Sequence, residues 1–99
     1  MSKTEEVTDR LFVAIGDKNV KQAREIVDGE LAQMVIDDRE TINWIAQPVN
    51  LTKLHNELME HLGIPRKMLM LRNRVPSTHR RSVMFVKAIS NALKRLDAE

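Results

Sequence analysis

The chain lacks several residue types on which whole classes of proteins depend. None of its 99 residues is cysteine, which excludes disulfides, thiolate-bound zinc and a cysteine nucleophile. It has three glycines, three prolines and three aromatic residues, few of the turn and strand formers that a β-rich fold uses. No apolar run approaches the ~18 residues of a membrane span, and the polar, acidic residues 1–10 are unlike a signal peptide. We therefore expect a soluble, cytoplasmic and mostly helical protein.

Enough apolar residues are present for one small core. Leu, Ile, Val and Phe account for 28 of the 99 residues, above the roughly 20% below which chains tend to stay disordered. Apolar residues recur at the three- and four-residue spacing of amphipathic helices. We predict an all-α fold, a compact bundle of about five helices in one domain over residues 1–99. Its acidic helical half spans residues 1–48 and its basic helical half spans residues 50–99.

Local signals set the expected helix ends in the acidic half. Ser2 followed by Glu5 has the spacing of a capping box, and Gly16 is suited to end the first helix. Asn19 followed by Gln22 indicates the start of a second helix. The pattern leaves open whether this second helix is continuous with the next one.

In the basic half, glycine and proline mark the expected boundaries. Gly63 is placed to end a helix in the left-handed conformation that glycine adopts at little cost. Pro65 fits the first turn of a fourth helix, which would stop before Pro76. A fifth helix fills the rest of the chain.

Charge is distributed very unevenly between the two halves. Residues 1–50 carry ten acidic and six basic side chains, a net charge of −4, whereas residues 51–99 carry four acidic and ten basic ones, a net charge of +6. No acidic residue lies between His61 and Leu96. We take the nine cations of this window as candidate nucleic-acid-binding residues: Arg66, Lys67, Arg72, Arg74, Arg80, Arg81, Lys87, Lys94 and Arg95.

A block of one-signed charge favours a polyanionic partner. Arg80, Lys87 and Lys94 are seven residues apart, so they share one face of the last helix. Because the chain has few aromatic rings for stacking on unpaired bases, we expect duplex DNA in preference to RNA. An acidic protein surface is the alternative partner. A membrane surface is disfavoured, since the last helix lacks bulky interfacial aromatics.

Signatures of catalysis are missing from the sequence. It has no glycine-rich phosphate loop and no nucleophile elbow. His55 and His61 are six residues apart, which is not the i, i+4 spacing of a helical metal pair. We therefore predict a non-enzymatic protein with no cofactor and no bound metal.

Residues 54–69, which read Leu-His-Asn-Glu-Leu-Met-Glu-His-Leu-Gly-Ile-Pro-Arg-Lys-Met-Leu, resemble the helix-turn-helix of Cro/repressor-type regulators, notably the antidotes of addiction modules. The resemblance extends over about residues 51–96. It implies a helix-turn-helix in the basic half, a role in transcription regulation and a homodimer on a two-fold DNA site. Arg66 and Lys67 would then lie near base edges, and the other seven cations would hold phosphates.

A second resemblance covers residues 10–42. The stretch Leu-Phe-Val-Ala-Ile-Gly-Asp-Lys-Asn-Val-Lys-Gln-Ala-Arg at residues 11–24 looks like the opening of prohead core proteins of large tailed bacteriophages. This likeness implies a phage-encoded assembly or scaffold protein, or an inhibitor of a host protein, acting in an infected bacterial cell through protein–protein contacts. It includes no catalytic residue.

Overall fold

Helices make up nearly all of the chain in the computed structural model, which describes residues 2–70 and 77–98. In chain order the elements are α1 (Lys3–Gly16), α2 (Val20–Ile26), a π-helical segment (Val27–Leu31), α3 (Ala32–Asp37), α4 (Arg39–Ala46), α5 (Pro48–Leu62), a 3₁₀ turn (Arg66–Met68) and α6 (Thr78–Ala98). Since α2, the π-helical segment and α3 follow one another without a break, the described ranges form five helical rods. The prediction of an all-α bundle of about five helices is confirmed.

The predicted caps at the first two helices are present. The Glu5 backbone N–H donates to the Ser2 hydroxyl at 3.2 Å, which satisfies one of the free donors at the start of α1. The Gln22 N–H donates in the same way to the Asn19 side-chain oxygen at 3.1 Å. Both caps depend only on residues three positions apart, which is why the sequence alone revealed them.

The turn after α1 differs from the expectation in one respect. The helix ends at Gly16, as predicted, but the residue in the left-handed conformation is Lys18, with φ 58°. The Asn19 N–H then reaches back to the Ala14 carbonyl at 2.9 Å and closes the helix end. A lysine therefore occupies a backbone position that glycine would adopt with less strain.

The rod formed by α2, the π-helical segment and α3 is separate from α4. Asp38 is extended, with ψ 106°, and ends α3. Its carboxylate accepts from the Glu40 backbone N–H at 3.1 Å and from the Thr41 hydroxyl at 2.9 Å, so it caps α4. Thr41 also shares a buried hydrogen bond of 2.9 Å with Thr4, which ties this cap to α1.

The expected fourth helix is wrong over residues 65–70. Gly63 has φ 68° and ends α5 as predicted, but only the three-residue 3₁₀ turn follows. Ile64 and Leu69 are both 2% exposed. Pro65 is extended, with ψ 146°, so it precedes the 3₁₀ turn and does not begin an α-helix. The remainder of that predicted helix, residues 71–76, lies outside the described residues.

The core joins α6 to the rods of the acidic half. Helix α6 packs against α2, α3 and α4, while α1 packs against α2 and α5. Ile89 and Leu93 of α6 are at most 1% exposed. His55 of α5 is also buried and meets the ring of Phe85 edge-on, with centroids 5.2 Å apart. Among residues 2–70 and 77–98, no helix is both long and apolar enough to cross a membrane.

Candidate nucleic-acid interface

Helix α6 separates its apolar and charged residues onto opposite sides. Its inward side buries Phe85, Val86, Ile89 and Leu93. Its outward side carries five exposed cations, which we call the cationic face: Arg80, Arg81, Lys87, Lys94 and Arg95. At 100° per residue, these five positions lie within an arc of about 140°. Burial of the apolar stripe therefore fixes the cations toward solvent.

Three members of the cationic face form a nearly straight row. Arg80, Lys87 and Lys94 lie within about 40° of one another around the helix axis. At 1.5 Å per residue, the row extends over about 21 Å. A rigid helix thus holds three charges at regular spacing, an arrangement that suits a repeating array of phosphates.

The single acid of α6 does not neutralise this face. Asp97 forms an ion pair of 2.7 Å with Arg24 of α2. The same guanidinium lies 3.6 Å from Asp28 of the π-helical segment, and the Asp28 carboxylate also accepts a hydrogen bond from the Ser90 hydroxyl. A cation from the acidic half therefore neutralises the acid nearest to the end of the cationic face.

The other ion pairs also lie away from the cationic face. Glu30 pairs with Arg10 and lies 4.0 Å from Lys3. The hydrogen bond from Arg10 lowers the pKa of the Glu30 carboxyl, and the same bond raises the pKa of Arg10. Glu57 pairs with His61 within α5 at 2.9 Å. In the part of the chain that the structure describes, no member of the cationic face has a carboxylate within 4.0 Å.

The remaining predicted site residues are distributed over other parts of the chain. Arg66 and Lys67 are exposed on the 3₁₀ turn. Lys67 lines a groove together with Arg95, so it extends the cationic face. Arg72 and Arg74 lie outside the described residues.

Arg66 also acts on a buried histidine, an effect that the sequence did not indicate. His55 is buried, and its Nδ1 is the one buried side-chain polar atom without a hydrogen-bond partner in the described ranges. Burial lowers the pKa of His55, and the positive charge of Arg66 lowers it further. The buried imidazole is therefore held in its neutral form.

The expected position of Arg66 and Lys67 at the start of a recognition helix is not found. A Cro/repressor-type motif reads base edges with the second helix of the pair, which lies in the major groove. After Gly63, residues 66–70 provide a 3₁₀ turn and a bend instead. What the described chain offers to a duplex is consequently the outward side of α6.

Two features of the site were missed by the sequence interpretation. One is Arg24, whose partner Asp97 is 73 residues away, and no local pattern could have indicated that pair. The other is the groove beside Arg95, since it is formed by two elements that meet only in the folded chain. Across residues 2–70 and 77–98, no cluster of three His, Asp or Glu side chains could hold a metal ion.

Comparison with known proteins gives no information on the function of this chain. No protein-family model, curated protein or solved structure matches this chain.

Proposed function

We propose that this protein binds duplex DNA through the cationic face of α6 and catalyses no reaction. The observation that carries the proposal is the exposure of five cations on one side of a helix whose only acid is already paired with Arg24. Each cation that neutralises a phosphate releases condensed counterions, and this release favours binding to a duplex of any sequence.

The contacts are to the phosphate backbone. Within the described residues, no helix follows Gly63 that could place Arg66 and Lys67 against base edges. We assign the cations of the cationic face to phosphates, contacts that position a protein on the duplex without reading its sequence.

Stacking on single strands is not favoured, because the aromatic rings are already used within the fold. Phe85 is buried, and Phe12 and Trp44 pack against each other with centroids 6.3 Å apart. Phe12 is also covered by the Lys53 ammonium, 4.3 Å from its ring centroid. A duplex should consequently bind at least as well as a single strand of equal length.

The test is a fluorescence-anisotropy titration of a labelled random-sequence duplex at 50 and 200 mM salt. If all five cations contact phosphates, the slope of log affinity against log salt is about −4.5, which corresponds to a roughly 500-fold loss of affinity between the two salt concentrations. The triple variant Arg80→Gln, Lys87→Gln and Lys94→Gln should reduce the slope to about −1.8.

A matched control removes the same number of charges elsewhere. The triple variant Lys18→Gln, Lys21→Gln and Arg39→Gln changes three exposed cations of the acidic half, and it should leave the slope almost unchanged. Absence of duplex binding at 50 mM salt would refute the proposal. Equal effects of the two triple variants would show that net charge, and not the cationic face, governs binding.

A further inference from the structure

A groove lined by both apolar and polar side chains runs along one flank of α6. One wall is a stripe of α6 at positions i, i+3, i+4 and i+7: Ala88, Asn91, Ala92 and Arg95. The facing wall comes from the 3₁₀ turn and the two residues after it: Lys67, Met68 and Met70. The groove has a volume of about 940 Å³, which is ample for several side chains of a partner.

The groove combines exposed methionine side chains with two cations. Met70 is 60% exposed and Met68 is 36% exposed, although both are large and apolar. Ala88 and Ala92 are small, so a partner backbone can approach α6 closely along this stripe. Lys67 and Arg95 stand on opposite walls, and neither forms an ion pair within the described residues.

We infer that this groove binds an acidic amphipathic helix of a protein partner. A helix-in-groove contact uses apolar residues at i, i+3, i+4 and i+7, and the flexible thioethers of Met68 and Met70 adapt to such side chains. Glu or Asp residues beside the apolar stripe of the partner would then face Lys67 and Arg95 on the two walls. The charge on the walls selects an acidic helix over a basic one.

The groove shares Arg95 with the cationic face, but it is offset around α6 from the row formed by Arg80, Lys87 and Lys94. The midline of the Ala88–Arg95 stripe lies about 70° to 110° around α6 from Arg80, Lys87 and Lys94, although its edge at Asn91 comes within about 20° of Arg80. Met84, 41% exposed, lies on the cationic face itself. Met59, 52% exposed, lies on α5 and lines neither surface. Met68 and Met70 therefore report on the groove, Met84 reports on the cationic face, and Met59 reports on neither.

The experiment is a methyl NMR titration of the full chain labelled at its methionine methyl groups. The probe is a synthetic 14-residue peptide with Leu at i, i+3, i+4 and i+7, Glu beside this stripe and Ala elsewhere, and the control peptide has the same composition with the leucines spread around the helix. We expect saturable shifts of Met68 and Met70 with the probe peptide, no shift of Met59 and no saturation with the control peptide.

A charge-reversal variant tests the walls of the groove. Lys67→Glu combined with Arg95→Glu should weaken binding of the probe peptide by about tenfold or more, because like charges then face each other. Lys18→Glu combined with Arg39→Glu makes the same change in net charge at exposed sites that do not line the groove, and it should leave peptide affinity within about twofold. Equal loss in both variants, or binding of both peptides alike, would overturn the inference.

A second titration with the random-sequence duplex separates this inference from the proposed function. Shifts of Met84 with the duplex and of Met68 and Met70 with the peptide support both. If the duplex leaves Met84 unmoved while the peptide still saturates Met68 and Met70, the proposed function fails and the groove inference stands. If the duplex moves Met68 and Met70 and the peptide does not, the groove belongs to the nucleic-acid surface and the inference is overturned.

Discussion

Acidification should destabilise this protein through one buried side chain. His55 is 9% exposed, it packs against Phe85, and its Nδ1 has no hydrogen-bond partner among the described residues. Burial lowers its pKa below the ordinary value of 6.5, and the charge of Arg66 adds to this effect. The unfolded chain consequently binds a proton at a higher pH than the folded chain does.

The sign and size of the effect follow from this difference. Stability is complete above about pH 6.5 and falls as the pH drops from there toward the folded pKa of His55. A single group binds at most one extra proton on unfolding, so the free energy of unfolding falls by at most about 1.4 kcal/mol per pH unit. For a chain of this length, each kcal/mol corresponds to roughly 4–8 °C in Tm.

The assay is urea denaturation at half-unit steps from pH 7.5 to pH 5. This range lies above the pH at which Glu30, whose pKa is lowered, would begin to lose its charge. The variant His55→Leu should remove the slope that His55 contributes, and it should be at least as stable as the original chain at pH 7.5, since it removes a buried unpaired nitrogen.

A matched control uses the histidine of α5 that is paired at the surface. His61 lies 2.9 Å from Glu57, and His61→Gln should leave the contribution of His55 in place. Retention of the full pH dependence in His55→Leu would refute the assignment to this side chain. Restoration of part of the stability at pH 5 by Arg66→Gln would identify the second cause.

Further predictions concern the turn, the core and the ion pair at the end of α6. Lys18→Gly should raise the free energy of unfolding by about 0.5–1 kcal/mol in thermal denaturation, because it relieves a left-handed lysine; a decrease would argue against strain at this turn. Leu93→Ala should cost about 2–5 kcal/mol by the same assay, whereas Val13→Ala, at a site 63% exposed, should change stability by less than about 0.5 kcal/mol. Arg24→Gln should cost no more than about 1 kcal/mol, since the pair is partly exposed, yet it should weaken duplex binding by leaving Asp97 uncompensated. Adding Asp97→Asn to that variant should restore duplex affinity. If it does not, the uncompensated Asp97 carboxylate is not the cause of the weaker binding.

Features that depend on neighbouring residues could be predicted from the amino-acid sequence alone. The caps at Ser2 and Asn19 and the left-handed end at Gly63 each involve a few contiguous positions, so the residue types at those positions are enough to predict them. The alternation of apolar and cationic residues along α6 likewise follows from the helical period. These local signals were sufficient for the all-α fold and for the row of cations.

Which charges remain unpaired, and where apolar surface stays exposed, depends on how the helices pack against one another. Arg24 reaches Asp97 only because α2 packs against the end of α6, and the groove exists only where the 3₁₀ turn meets the Ala88–Arg95 stripe. The path after Pro65 also differs from the local signal: Pro65 is suited to a helix start, but it is extended and only a 3₁₀ turn follows it. Contacts between residues far apart in the chain leave no periodic trace in the sequence, because each depends on how two finished elements meet.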